Sequence, residues 1–84
     1  MIDCSHGNSN KDYRKQSHVL KNVANQIKNG EKNILGVMLE SHLKEGNQKL
    51  SNRKDLEYGM SITDACINID TTKNLLQILY NSIL

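Results

Sequence analysis

The chain has 84 residues, 37% of them hydrophobic, with 11 Lys+Arg against 9 Asp+Glu and a net charge of +2. That length holds at most one domain, and so small and dispersed a charge argues against nucleic acid as a partner. The only aromatics are three tyrosines, too few for a base-stacking platform, and the longest apolar run, Ile34 to Leu39, falls far short of the about 18 residues of a membrane span.

In chain order, Met1 to Cys4 reads as a strand. Gly7-Asn8-Ser9-Asn10 is a loop of turn and capping residues. Lys11 to Lys28 reads as a helix, with Leu20, Val23, Ala24 and Ile27 spaced as one apolar stripe, and Asn29-Gly30 supplies its stop. Ile34 to Leu39 is a short apolar run that fits a strand buried on both faces and ends at Glu40. From Ser41 to Ile69 the pattern is polar and irregular, and a loop that long tends to be functional. Asp70 or Thr71 is expected to cap a last helix with the stripe Leu75, Leu76, Leu79, Tyr80 and Ile83.

Strand, helix and strand with short connections imply a right-handed crossover and parallel strands. Two parallel strands alone leave two unpaired edges, so the chain reads as an α/β piece of a larger parallel structure. Cys4 and Cys66 make no disulfide framework, and no signal-peptide pattern is present. A cytoplasmic location with both thiols reduced is expected.

Three residues stand where parallel α/β proteins carry their chemistry. His6 follows the first strand, Glu40 ends the second, and Asp64 lies in the long loop. Strand parity puts Cys4 and His6 on one side, and Met38 and Glu40 on one side. An imidazole and two carboxylates converging in one cavity suit Mn, Fe, Co or Zn as divalent ions. Spacing alone leaves a second reading open, in which the three are unconnected polar residues at element ends. Glu40 is the most informative, because a carboxylate after six apolar residues is costly to bury unless paired or metal-bound. Cys4 is read as a small hydrophobe filling the interior of that larger structure and Cys66 as a structural thiol. His42 is read as an exposed loop histidine and His18 as solvated. Lys11, Arg14 and Lys15 could offer a phosphate contact from the loop after the first strand, but cations at a helix N-terminus oppose its dipole, so they too are read as solvated.

The literal strings go further. Met1-Ile-Asp-Cys-Ser-His6, Gly36-Val-Met-Leu-Glu-Ser-His-Leu43 with Glu45-Gly-Asn-Gln48, and Ser61-Ile-Thr-Asp-Ala-Cys-Ile67 closely resemble the C-terminal part of class I, microbial-type DAHP synthase (3-deoxy-D-arabino-heptulosonate-7-phosphate synthase). Gly30-Glu31-Lys32 and Tyr58-Gly59 belong to the same likeness, which covers essentially residues 1–84 as a single partial domain. The resemblance implies the last two βα units of a TIM (β/α)8 barrel, incomplete on its own. It implies that His6, Glu40 and Asp64 are metal ligands, with His6 and Asp64 also catalytic. The family's fourth ligand, a Cys on an early strand, and the cationic substrate clamps match nothing in this chain.

The implied reaction joins phosphoenolpyruvate to D-erythrose 4-phosphate at the entry to the shikimate and chorismate route, in a parent enzyme expected to be a homo-oligomer. Two alternatives remain: a non-enzymatic remnant, and the related 3-deoxy-D-manno-octulosonate-8-phosphate synthase, which lacks the Glu45-Gly-Asn-Gln48 string.

Overall fold

A computed structural model describes residues 1–50 and 53–84. Strand β1 (Ile2–Asp3) is followed by 3-10 turns at His6–Ser9 and Tyr13–Lys15, then helix α1 (Gln16–Lys28), strand β2 (Val37–Met38), a 3-10 turn at Arg53–Asp55 and helix α2 (Ile69–Ile83). Among the described residues the architecture is α/β, with two parallel strands and two α-helices. Ser51 and Asn52, part of the expected polar loop, lie outside the described residues.

β1 and β2 pair in parallel, with Ile2 opposite Val37 and Asp3 opposite Met38. The Cys4 amide extends the ladder by donating to the Met38 carbonyl at 2.9 Å. Both strands are shorter than the sequence suggests. The Ile34 to Leu39 run is also not buried on both faces: Leu35 is 90% exposed and Met38 37%. The helices cover one face of this two-stranded ladder, and among the described residues no second layer covers the other.

The covered face carries the core. Cys4, Leu20, Ile67 and Leu75 are buried together, with Val37, Leu39, Ile78 and Leu79 packed against them. Cys4 is fully buried, but it lies between sheet and helices rather than filling a barrel interior.

α1 starts later than its stripe suggests. Asn10 and Lys11 have φ of 53° and 59°, which no helix accepts. Instead Asp12 accepts the Arg14 amide at 3.0 Å, opening the Tyr13–Lys15 turn that leads into α1. The expected stop holds. Gly30, at φ 103°, donates to the Ile27 carbonyl while Glu31 donates to Gln26, both at 3.0 Å, a closure that favours glycine at the positive-φ position.

α2 is capped by Asn68, not by Asp70 or Thr71: its Oδ1 accepts the Thr71 amide at 2.8 Å. Leu75 is buried, but Leu76, Tyr80 and Ile83 are exposed, because α1 and the sheet cover only one side of α2.

The stretch between β2 and α2 is stitched rather than irregular. The Ile67 amide donates to the Glu40 carbonyl, and the His42 amide to the Ile67 carbonyl, both at 3.0 Å. Gly46 and Cys66 exchange amide–carbonyl bonds at 2.8 and 3.1 Å. The Gln48 side chain donates to the carbonyls of Glu57 and Met60 and accepts the Glu57 amide, all within 2.8–2.9 Å. Gly59 has φ 82°, and a Cβ there would stand 2.9 Å from the Leu43 Cβ, so this turn admits only glycine without rearrangement.

Candidate metal centre

The string after β1 organises itself. The Asp3 carboxylate accepts the Ser5 amide at 2.8 Å and also the Ser5 hydroxyl. Its other oxygen lies 2.9 Å from His6 Nδ1. The Ser5 hydroxyl hydrogen is committed to Asp3, so Ser5 Oγ, 2.9 Å from the same Nδ1, acts there as an acceptor. Nδ1 therefore carries a proton, and Nε2 is turned toward the cavity. His6 holds φ 49°, a left-handed conformation uncommon for histidine.

That backbone overturns the parity argument. Cys4 sits under the helices, whereas His6 hydrogen-bonds to Asp3 on the open side, because the chain leaves the extended conformation between them. Strand periodicity does not single out Asp3, although a carboxylate near a candidate ligating histidine is a usual orienting partner.

Glu40 is held by its backbone. Its amide donates to Gln16 Oε1 at 2.8 Å, and the Gln16 Nε2 donates back to its carbonyl at 3.1 Å. Gln16 is fully buried and supplies the pairing that a neighbouring strand would otherwise provide. Periodicity gave no hint of it, since a polar residue at the start of a helix reads as surface.

Asp64 is placed by the stitched segment, where Asn47 donates to the Thr63 carbonyl at 2.9 Å. His6 Nε2 stands 3.3 Å from Asp64 Oδ2 and 3.6 Å from Glu40 Oε1. One ligand atom from each of the three residues lies within 4.8 Å of the others. They share a cavity of about 290 Å³ with Ser9, Lys11, Tyr13 and Ala65.

The charges are strained against one another. Hydrogen bonds from Ser5 and His6 hold the Asp3 carboxyl below its ordinary range. The Asp3 hydrogen bond, then the nearby Glu40 charge, push His6 up. Partial burial, then a hydrogen bond to Asp64, push Glu40 up. Two carboxylates and an imidazole facing one point favour a shared cation, and a mixed N/O set suits a divalent transition ion. Bonds of about 2.0–2.2 Å put opposite ligand atoms about 4.4 Å apart, so the observed 4.8 Å spread closes with small side-chain movements. The residues fit such an ion.

The other candidates lie elsewhere. Cys66 is buried, and its thiol, pushed up chiefly by burial, contacts the Asp64 carbonyl at 3.4 Å. The exposed His42 turns its Nδ1 back to accept the Leu43 amide at 2.9 Å. His18 lines a separate groove with Ile2, Val19, Val23 and Ile34. No helix among the described residues is long and apolar enough to cross a membrane.

The profile of the DAHP synthetase I family matches residues 1–77. The chain belongs to that family. It is 55% identical over 78 residues to a Tyr-sensitive phospho-2-dehydro-3-deoxyheptonate aldolase of Enterobacter agglomerans, covering 92% of this chain and 37% of the relative. The Phe-sensitive aldolase of Escherichia coli K12 is 54% identical over 83 residues, covering 99% of this chain and 24% of the relative. The solved structure of the Francisella tularensis SCHU S4 aldolase superposes with a TM-score of 0.90 at 46% identity, over 98% of this chain and 24% of that one. The chain thus spans between about a fifth and just over a third of the length of the curated relatives it matches.

Within this DAHP synthetase segment, Gln16→Leu tests the backbone clamp. The change keeps similar bulk but leaves the Glu40 amide without its partner. Urea unfolding of the full-length protein should show a loss of about 1–3 kcal/mol. An unchanged midpoint would mean that Gln16 does not hold Glu40.

Proposed function

We propose that this chain forms the last two βα units of a TIM barrel in a cytoplasmic DAHP synthase, homo-oligomeric in its full-length form. The observation that carries the reading is the convergence of His6 Nε2, Glu40 Oε1 and Asp64 Oδ2 on one point beside the strand ends of a DAHP synthetase family chain. These three would hold a divalent metal, with a further ligand from outside the chain. Such an ion, when bound, supplies Lewis-acid polarisation of a carbonyl oxygen.

The reaction joins phosphoenolpyruvate and D-erythrose 4-phosphate. C3 of phosphoenolpyruvate bonds to the aldehyde carbon, a water oxygen adds to C2, and the C2–O bond to phosphate breaks. The water oxygen becomes the C2 carbonyl and gives up both its protons, one to the aldehyde oxygen and one to the departing phosphate, so phosphoenolpyruvate, erythrose 4-phosphate and water become DAHP and inorganic phosphate.

The chain's own residues position the reactants. Asp3 and Ser5 hold the His6 ring with Nε2 facing the cavity. The Gln16 clamp fixes where Glu40 emerges. Asp64, 64% exposed at its side chain, is the open edge of the group and is suited to accept hydrogen bonds from substrate hydroxyls. Orienting two anions for one bond is where such a site contributes most of its rate.

The test is phosphate release by the full-length protein from both substrates, before and after chelation and with Mn²⁺ restored. Turnover that is lost to chelator and recovered with Mn²⁺ is expected. Metal-independent turnover would remove the ion from the reading. No turnover by a folded, metal-loaded protein would favour a remnant, and turnover only with arabinose 5-phosphate would favour the octulosonate enzyme.

A further inference from the structure

Three cations lie between β1 and α1, and the structure separates them. Arg14 is committed to Asp12, with Nε 3.1 Å from Oδ1 and Nη2 3.3 Å from Oδ2. Lys15 is exposed and lies outside the cavity of His6, Glu40 and Asp64. Lys11 lines that cavity. Among the described residues no carboxylate lies within 4.0 Å of the Lys11 ammonium, although two carboxylates line the same space.

The backbone keeps Lys11 at this rim. Its amide donates to the His6 carbonyl at 2.7 Å, tying the two residues into one turn. Its φ of 59° is one that glycine or asparagine adopts more readily than lysine. Left-handed non-glycine residues concentrate at functional sites, where the surrounding structure holds them in place. The charges point the same way. The two carboxylates that line the cavity would turn to a divalent ion rather than to Lys11, which leaves its ammonium available to an oxyanion.

We propose that Lys11 is a substrate-positioning residue that binds an oxyanion group, phosphate or carboxylate, of a reactant held against His6, Glu40 and Asp64. The assignment rests on the proposed condensation of two phosphorylated substrates. It adds a cationic contact within the chain to those expected from the rest of the enzyme.

Lys11→Asn removes the charge while keeping a residue that tolerates the left-handed turn, and Lys11→Arg keeps the charge. Steady-state kinetics of the full-length enzyme are read for each substrate separately, alongside Mn²⁺ binding and thermal melting. Lys11→Asn should raise the KM of one substrate about tenfold to a hundredfold, with Mn²⁺ affinity and melting unchanged, and Lys11→Arg should recover most of the loss. A rise confined to erythrose 4-phosphate identifies its phosphate as the bound group. A rise confined to phosphoenolpyruvate assigns Lys11 to that substrate, and competition by inorganic phosphate against oxalate then separates its phosphate from its carboxylate. KM values for both substrates within twofold of wild type would overturn the role of Lys11 and leave the condensation standing. An inactive wild type would overturn the condensation and this assignment with it. If Lys11→Asn melts early, Lys11→Arg decides: wild-type KM values with Arg support a charge contact, and a loss equal to that of Asn refutes it.

Discussion

Glu40→Ala in the full-length protein is expected to lower turnover by more than about a hundredfold while shifting thermal melting only slightly. Removing groups that merely orient metal ligands costs about 10–100-fold, and a ligand itself should cost more. Stability should barely move. The Gln16 clamp grips the Glu40 backbone, not its carboxylate, so it survives the substitution. The carboxyl itself sits in partial burial beside Asp64, and both push its pKa up, so the ionised group is not stabilised by its surroundings. Phosphate release with saturating Mn²⁺, read beside a melting curve, checks both halves. Near-normal turnover would remove Glu40 from the proposed metal site, and a collapsed melt would make it a structural residue.

Expressed alone, residues 1–84 are expected to show no cooperative melt and no DAHP formation. Each strand of the ladder is two residues long, and a two-stranded sheet is at best marginal in water. The buried apolar set is small: Cys4, Leu20, Val23, Ala24, Cys66, Ile67 and Leu75. Against it stand Leu35, Leu50, Tyr58, Ile83 and Leu84, all large and all mainly exposed. A complete domain is stable by only about 5–15 kcal/mol, and one that leaves this much apolar surface in water falls below that range. Catalysis fails separately, since among the described residues the proposed site has three ligands and no fourth. Circular dichroism, amide exchange and phosphate release decide the matter. A cooperative melt with Mn²⁺-dependent turnover would show that these 84 residues are sufficient.

Much about this protein was legible without coordinates because it is local. Leu20, Val23 and Ala24 lie within two turns of one helix, and their spacing alone puts them on a buried stripe. Gly30 announces the helix stop because few other residues take φ 103° without strain. His6, Glu40 and Asp64 were named by short strings, each read within a few residues of itself. What the tertiary structure decided depends on partners far apart in sequence. Strand length followed from what covers each face, which is why Leu35 and Met38 lie exposed in a run that reads as core. The side on which His6 emerges followed from its left-handed backbone, which strand parity cannot anticipate. Gln16 reaches Glu40 across 24 residues and His6 reaches Asp64 across 58. No periodicity encodes such pairings, because their geometry exists only once α1 and the long segment have packed against the sheet.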